Sequence, residues 1–467
     1  MNGKLEIEVG RGVRIKNLPL KIITKVKTDL TFLNPIYAEA IKMGRSISGD
    51  VSQYIILYDI SKNLCWVPRG YIYFLIRYLK QVGIGFSIID KTTSFAPPKS
   101  FELKFKGVLE NYQKEAAEAL AKYPNGVLEA GTGSGKTVLG CYMIAYRQQP
   151  TLIIVHSALL VKQWEKEIKR FLGFKCGIIG DNKFELKPIT VAIIDSVNIH
   201  LEKLKCRFGQ VIVDETHKIV ANTWAYTLQD FSAKYLLGLT ATAYRSDGLG
   251  DAIFACIGPK LHVINKQMLY KIKAILRPIV YRIETNYYFL FQGKWSDLIQ
   301  DLVTNKQRNE LICKIIDLDL KKHKEQILIV SDRKEHCSTI TKILWEKYQL
   351  KAEILIGGGS KTKKEKILKN LQTGVCKILC ATTKYVGEGF DIPGLSALFI
   401  TTPIKFEGKL IQACGRVLRP KDRKLIGTTG YINPPRIYDF KDGAIRPLAS
   451  QGRKRDAIYR QEDWVIK

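Results

Sequence analysis

Acidic residues are what this sequence is short of: 44 Asp and Glu stand against 74 Lys and Arg, a formal net charge of +30 over 467 residues. Charge says nothing about fold, but an excess this large favours a polyanionic partner, and nucleic acid is the usual one. Long apolar runs are also missing; none reaches the ~18 residues needed to span a membrane. The opening stretch, MNGKLEIEVGRG, has no signal-peptide core. The ten cysteines include no CxxC pair, the nearest two being Cys376 and Cys380. A disulfide framework and a structural zinc site are therefore not expected, and a reducing compartment is. What is present, 46% hydrophobic and 25% charged residues, is the profile of a soluble globular protein.

Three zones follow one another. Residues 1–104 carry short alternating apolar stretches (Lys4–Val9, Ile55–Tyr58, Cys65–Val67), a helix candidate at Gly70–Val82 and a closing break, Ala96-Pro97-Pro98-Lys99. This reads as a small α/β domain. In it Arg69, Arg77 and Lys80 interleave with Trp66, Tyr71 and Tyr73. The pattern suits stacking on unpaired bases; it also suits a domain core, the reading favoured for most of these aromatics. Residues 105–275 alternate apolar runs (Gly126–Leu128, Thr151–Val155, Val191–Ile194, Gln210–Val213, Tyr235–Leu239) with helical stretches. Residues 276–467 repeat the pattern with Gln326–Val330, Ala352–Ile356, Lys377–Cys380 and Ala397–Thr401, and end in a basic helix candidate, Gln451–Lys467. Short apolar strands alternating with helices predict parallel sheets covered on both faces. The expected fold class is α/β: two tandem parallel-sheet domains preceded by a small α/β domain.

The strongest motif is Ala130-Gly131-Thr132-Gly133-Ser134-Gly135-Lys136-Thr137, between an apolar strand and an apolar helix. That context is what a phosphate-binding loop requires. Glycines let successive N–H groups converge on phosphate oxygens, and the helix N-terminus adds a favourable dipole. Lys136 then pairs with the β- and γ-phosphates, and Thr137 offers its hydroxyl to Mg²⁺. The second motif is Gln210–His217, an apolar strand ending in Asp214-Glu215-Thr216-His217. One acid there can hold Mg²⁺ and the other can polarise an attacking water. Asp214 fits the first role and Glu215 the second, while His217 can couple the site to a neighbouring element.

Together these motifs resemble the superfamily 2 helicases of the DExH type, and the remaining family motifs follow in order. Leu109–Gln113 is similar to the segment that reads adenine, with Gln113 in the reading position and Glu110 where the family often has Arg. Thr151–Glu165 is similar to motif Ia, and Leu239-Thr240-Ala241-Thr242 to motif III, whose threonines couple hydrolysis to movement. Gln326–Cys337 resembles motif IV, Ala381–Thr383 with Gly387–Pro393 resembles motif V, and Gln412–Arg419 matches the QxxGRxxR of motif VI. Asn305–Asn309 (NKQRN) and Arg333-Lys334-Glu335-His336 narrow the likeness. They point to the group holding the phage branch-migration helicases (the UvsW and phage T5 enzymes), the XPB-type DNA helicases and the poxvirus transcript-release helicase.

The resemblance implies two RecA-like domains, ATP and Mg²⁺ as cofactors, and catalytic roles for Lys136, Asp214, Glu215, Gln412, Arg416 and Arg419. Gly389 and Asp391 complete the nucleotide site from the second domain. It implies backbone contacts from His156, Ser157 and Lys162 on the first domain and from Ser331, Arg333, Thr382 and Thr383 on the second. The expected activity is ATP-driven unwinding or branch migration of forked, branched or partly single-stranded DNA. Action on RNA, as in transcript release, is the alternative. A monomer in the cytoplasm of a bacterial or phage-infected cell, neither secreted nor membrane-bound, is expected.

Overall fold

The computed structural model describes residues 5–42, 46, 51–62, 64–96, 102–131, 133–216, 224–241, 248–356, 361–383, 394–404, 410, 413–415, 417–418 and 433–467. They divide into two compact units, with the boundary along the chain after Asn265.

The first unit opens with β1 (Leu5–Gly10), β2 (Gly12–Lys16), β3 (Thr31–Leu33), β4 (Tyr54–Ile56), β5 (Asp59–Ser61), β6 (Leu64–Val67) and β7 (Phe86–Asp90). Five of these form a mixed sheet in the order β5-β6-β2-β1-β7, and β3 pairs with β4. Alternation decides the burial: along β2, Val13 and Ile15 face the core while Arg14 and Lys16 face water.

A second, larger sheet follows in the same unit: β8 (Asn125–Ala130), β9 (Thr151–Val155), β10 (Gly177–Gly180), β11 (Lys183–Phe184), β12 (Ile189–Ile193), β13 (Gln210–Asp214), β14 (Tyr235–Thr240) and β15 (Lys260–Ile264). Its order is β11-β10-β12-β9-β13-β14-β8-β15, and only the β10–β11 pair is antiparallel. All five residues of β9 and of β13 are buried. That is why these strands read as unbroken apolar runs rather than as alternating ones.

One hydrophobic core runs through both sheets, from Ile7, Val26 and Leu75 to Phe208, Phe231 and Ile253. Arg69 bridges them. It is 3% exposed; its guanidinium donates to the Ala233 carbonyl and to Asn125 Oδ1 (3.0 Å), and its backbone N–H donates to Gln229 Oε1 (2.7 Å). Burial pulls its pKa down to about 10, against the weaker opposing pull of Tyr73 and Asp90. Trp66 stacks on Tyr226 with ring centroids 6.3 Å apart, and the Tyr226 hydroxyl donates to the Ile56 carbonyl. Tyr71 is buried and Tyr73 meets Tyr123 edge-on. The residues that suited base stacking are thus interior joints, and of that set Arg77 and Lys80 are the exposed ones.

The second unit holds β16 (Ile279–Glu284), β17 (Gln326–Ser331), β18 (Ala352–Leu355), β19 (Ile378–Thr382), β20 (Leu395–Ile400), β21 (Arg436–Lys441) and β22 (Val465–Ile466), in the order β18-β19-β17-β20-β21-β16-β22. Every pair in it is parallel. Charges hold β21 from both faces. On one, Arg436 binds Asp319 (2.6 Å) and Glu325 (2.9 Å), and Tyr438 donates to Asp319. On the other, Asp439 binds Arg282, Arg455 (2.8 Å) and Tyr459 (2.7 Å). Arg455 and Tyr459 belong to the helix Arg446–Gln461. All ten cysteines are free thiols, and all but Cys206 are buried. No described helix is long and apolar enough to cross a membrane.

The Arg69 bridge makes a stability prediction. Arg69→Ala strands the Asn125 amide oxygen and the Ala233 carbonyl in a dry interior, an expected loss of about 2 kcal/mol. Urea unfolding followed by tryptophan fluorescence measures it, and an unchanged midpoint would count against the bridge.

Candidate active site

The loop from Gly131 to Gly135 leaves the carboxyl end of β8 and enters the helix Lys136–Arg147. Gly135 has φ 84°, a left-handed conformation that glycine adopts without strain. A Cβ there would also fall 2.3 Å from Gln113 Nε2. Gln113 is buried, with Oε1 accepting from the Glu110 N–H at 3.0 Å. The predicted adenine reader therefore sits against the loop and closes the first turn of its own helix, Asn111–Ala121.

β14 lies between β8 and β13, with Thr240 opposite Glu129 and Asp214 opposite Leu239. Ala130, Thr240 and Asp214 therefore end at one edge of the sheet. Lys136 Nζ donates to the Ala130 carbonyl at 2.9 Å. Thr137 is half-buried in the first turn, Ser134 and Thr240 are fully buried, and Gly133 is partly exposed.

Asp214 is 8% exposed. Its Oδ2 accepts from Trp164 Nε1 at 2.9 Å and its Oδ1 from the Glu215 N–H at 3.0 Å. Burial, then the charge of Glu215, push its pKa up to about 6, against the opposing pull of Lys136 and the Trp164 N–H. Glu215 has φ 54°. A non-glycine residue in that region is strained, and such strain gathers at functional sites. Lysine, aspartate and glutamate thus form one electrostatic unit beside the phosphate loop. Trp164 is the member that motif reading missed; its signal was a tryptophan on the apolar stripe Leu160, Val161, Trp164, Ile168, Leu172.

Of the expected nucleic-acid contacts in this unit, Lys162 is exposed, and His156 and Ser157 are half-buried at the carboxyl end of β9. Ser157 Oγ caps the helix Ala158–Leu172 by accepting from the Leu160 N–H. In the second unit Arg333 is exposed, but Ser331, Thr382 and Thr383 are 1%, 9% and 4% exposed. Ser331 and Thr382 close the carboxyl ends of β17 and β19. Ser331 Oγ hydrogen-bonds His336 Nδ1 (3.0 Å) and accepts from the Arg333 N–H (3.1 Å). Thr383 donates to Asp332. His336 Nε2 meets Asn309 Oδ1 at 2.9 Å, and Arg308 binds Asp442 (2.9 Å) and the Thr401 carbonyl (2.9 Å). Burial, then the Arg308 charge, push His336 down to about 3. The two segments that narrowed the family likeness are therefore packed on each other and hold the strand ends from beneath. Thr132, His217, Thr242, Gly389, Asp391, Gln412, Arg416 and Arg419 lie outside the described residues.

Asp214 contributes a pH dependence to stability. Its folded pKa is raised above the ordinary ~3.9. Ionisation therefore destabilises the folded chain as pH climbs past that value, and the penalty levels off above about 6. Asp214→Asn removes the charge and keeps an oxygen for Trp164. In metal-free buffer at pH 8 the variant is expected to be more stable by about 1–3 kcal/mol. Urea unfolding at pH 8 and near pH 4 checks the sign: a stability gap that fails to close in acid would show that the buried charge is not its source.

The chain also matches known proteins. Residues 106–245 match the type III restriction enzyme res subunit family, and residues 307–421 the helicase conserved C-terminal domain. It is 28% identical over 425 residues to the probable helicase D10 of Escherichia phage T5, covering 88% of each chain. It is 26% identical over 359 residues to the DNA 3'-5' translocase XPB2 of Sulfurisphaera tokodaii, covering 69% of this chain and 81% of that one. Among solved structures it shares the fold of S. cerevisiae Dbp5 bound to RNA and ADP BeF3, with a TM-score of 0.57 and 12% identity over 76% of this chain and 89% of that one. With two parallel RecA-like sheets, a phosphate loop beside an acidic pair, and both helicase domain families in order, the chain belongs to the superfamily 2 helicases, which are nucleic-acid-dependent ATPases.

Proposed function

We propose that this helicase couples ATP hydrolysis to movement on DNA, unwinding or branch-migrating forked and branched structures. The observation that carries the reading is the grouping of Lys136, Asp214 and Glu215 at the sheet edge from which the Lys162-bearing helix also starts. The DNA preference is supported by the translocase relative, and nucleic acid as the partner class by the net charge of +30.

In this reading Gln113 faces the adenine, and Gly131, Thr132, Gly133, Ser134 and Gly135 cradle the phosphates with Lys136. Glu215 takes a proton from the attacking water. Thr137 and Asp214 would hold Mg²⁺, which when bound neutralises charge on the β- and γ-phosphates. A buried Asp214 held far above its ordinary pKa beside Glu215 fits a site made for a divalent cation. Arg416 and Arg419 of the second domain, with Gln412 beside them in the motif, would stabilise the γ-phosphate as charge builds on it, and Gly389 and Asp391 would complete the nucleotide-binding set. Hydrolysis would then depend on how the domains meet, with His217, Thr240 and Thr242 transmitting the change. His156, Ser157 and Lys162 of the first domain and Ser331, Arg333, Thr382 and Thr383 of the second would touch the backbone. The domain limits that go with this are 1–104, 105–275 and 276–467, the first assisting in nucleic-acid binding.

Lys136→Ala and Glu215→Gln should each cut DNA-stimulated ATP turnover by roughly 100-fold or more while leaving DNA binding in place. Turnover that persists in either variant would dismiss the assignment. One ATP-dependent unwinding assay on forks, four-way junctions and RNA-containing substrates tests the substrate class. Preference for a transcribing polymerase complex over bare junctions would replace branch migration with transcript release.

A further inference from the structure

Trp164 plays no part in the roles above, yet it lies inside the geometry of the site. It is fully buried on the helix Ala158–Leu172, which Ser157 caps and Gly173 ends at φ 66°. The exposed Lys162 stands two residues earlier on the same helix. Residues two apart point to opposite sides of a helix, so one face meets solvent where the other carries the indole inward.

The indole touches two further elements. Its N–H donates to Asp214 Oδ2 at 2.9 Å, at the end of β13. Its far edge packs on Gly140 of the phosphate-loop helix, where a Cβ would fall 2.5 Å from Cη2. A buried indole N–H needs an acceptor. A carboxylate is a stronger one than a carbonyl, and its bond is lost with a shift of about 1 Å. The packing leaves the ring no slack to absorb such a shift.

We propose that Trp164 is a positioning residue whose N–H fixes Asp214 and whose ring carries displacement of the nucleic-acid-facing helix to the nucleotide site. This rests on the placement of Asp214 in the ATP site and of Lys162 on the nucleic-acid surface. Contact with DNA along this helix then adjusts the carboxylate directly, within one domain.

Two full-length variants test it. Trp164→Phe removes the N–H and keeps an aromatic ring. Replacing Trp164 by β-(3-benzothienyl)alanine keeps the bicyclic shape and puts sulfur where the N–H was. DNA affinity is measured at fixed salt, ATP turnover with and without DNA, and the Mg²⁺ concentration for half-maximal binding of a fluorescent non-hydrolysable ATP analogue. In both variants DNA affinity should stay within about twofold. The Mg²⁺ requirement should rise roughly 10-fold and the stimulation by DNA should fall roughly 10-fold. Wild-type behaviour of the benzothienyl variant overturns the proposal, whatever the phenylalanine variant does, because ring volume alone then accounts for Trp164. Absence of DNA stimulation in the unaltered chain would bring down the motor reading itself, and this proposal with it.

Discussion

A parallel sheet covered on both faces leaves polar chemistry one open place, the carboxyl ends of its strands. The phosphate loop and the acidic pair of the first unit obey that constraint. Ala130 hands over to the loop, Asp214 ends β13 with Glu215 next, Thr240 ends β14, and His156 and Ser157 follow β9. In the second unit Ser331 and Thr382 end their strands in the same way. Many polar groups elsewhere in these layers are paired in buried networks, such as Arg308 with Asp442.

The same constraint explains what could be read from the residues alone. β9 and β13 are buried on both faces, so their apolar runs stood out. β16 hid because IVYRIE is mostly half-buried along its length. β21 hid because Arg436 and Asp439, 2% and 0% exposed, interrupt it; a hydrophobic pattern cannot show that a charge has a partner on another element. In the candidate site, the phosphate loop and acidic pair were legible because their chemistry is local. The orientation of Ser331 was not: it depends on His336, which meets it only through a hydrogen bond made in three dimensions. Arg69 read as a basic surface residue for the same reason. Its acceptors lie on Asn125 and Ala233, far along the chain.

The nucleotide edge is built against its own stability. A carboxylate buried beside another, and a glutamate in the left-handed region, are both unfavourable in isolation. The surrounding core carries them. Trp164, Leu239 and the phosphate-loop helix are locked in the interior, so the strained pair has no cheaper arrangement to relax into.

β21 shows a different use of buried charge. Arg436 and Asp439 are three residues apart, so their side chains leave opposite faces of the strand, one toward Asp319 and the other toward Arg455. A slip of one residue would turn each charge to the wrong face, parting Arg436 from Asp319 and Glu325 and Asp439 from Arg282 and Arg455. The apolar strand β20 beside it could tolerate a misaligned neighbour at modest penalty; β21 cannot. The two ionic clusters act as a keyed joint, admitting a single alignment for the strand and for the C-terminal helix that closes over it.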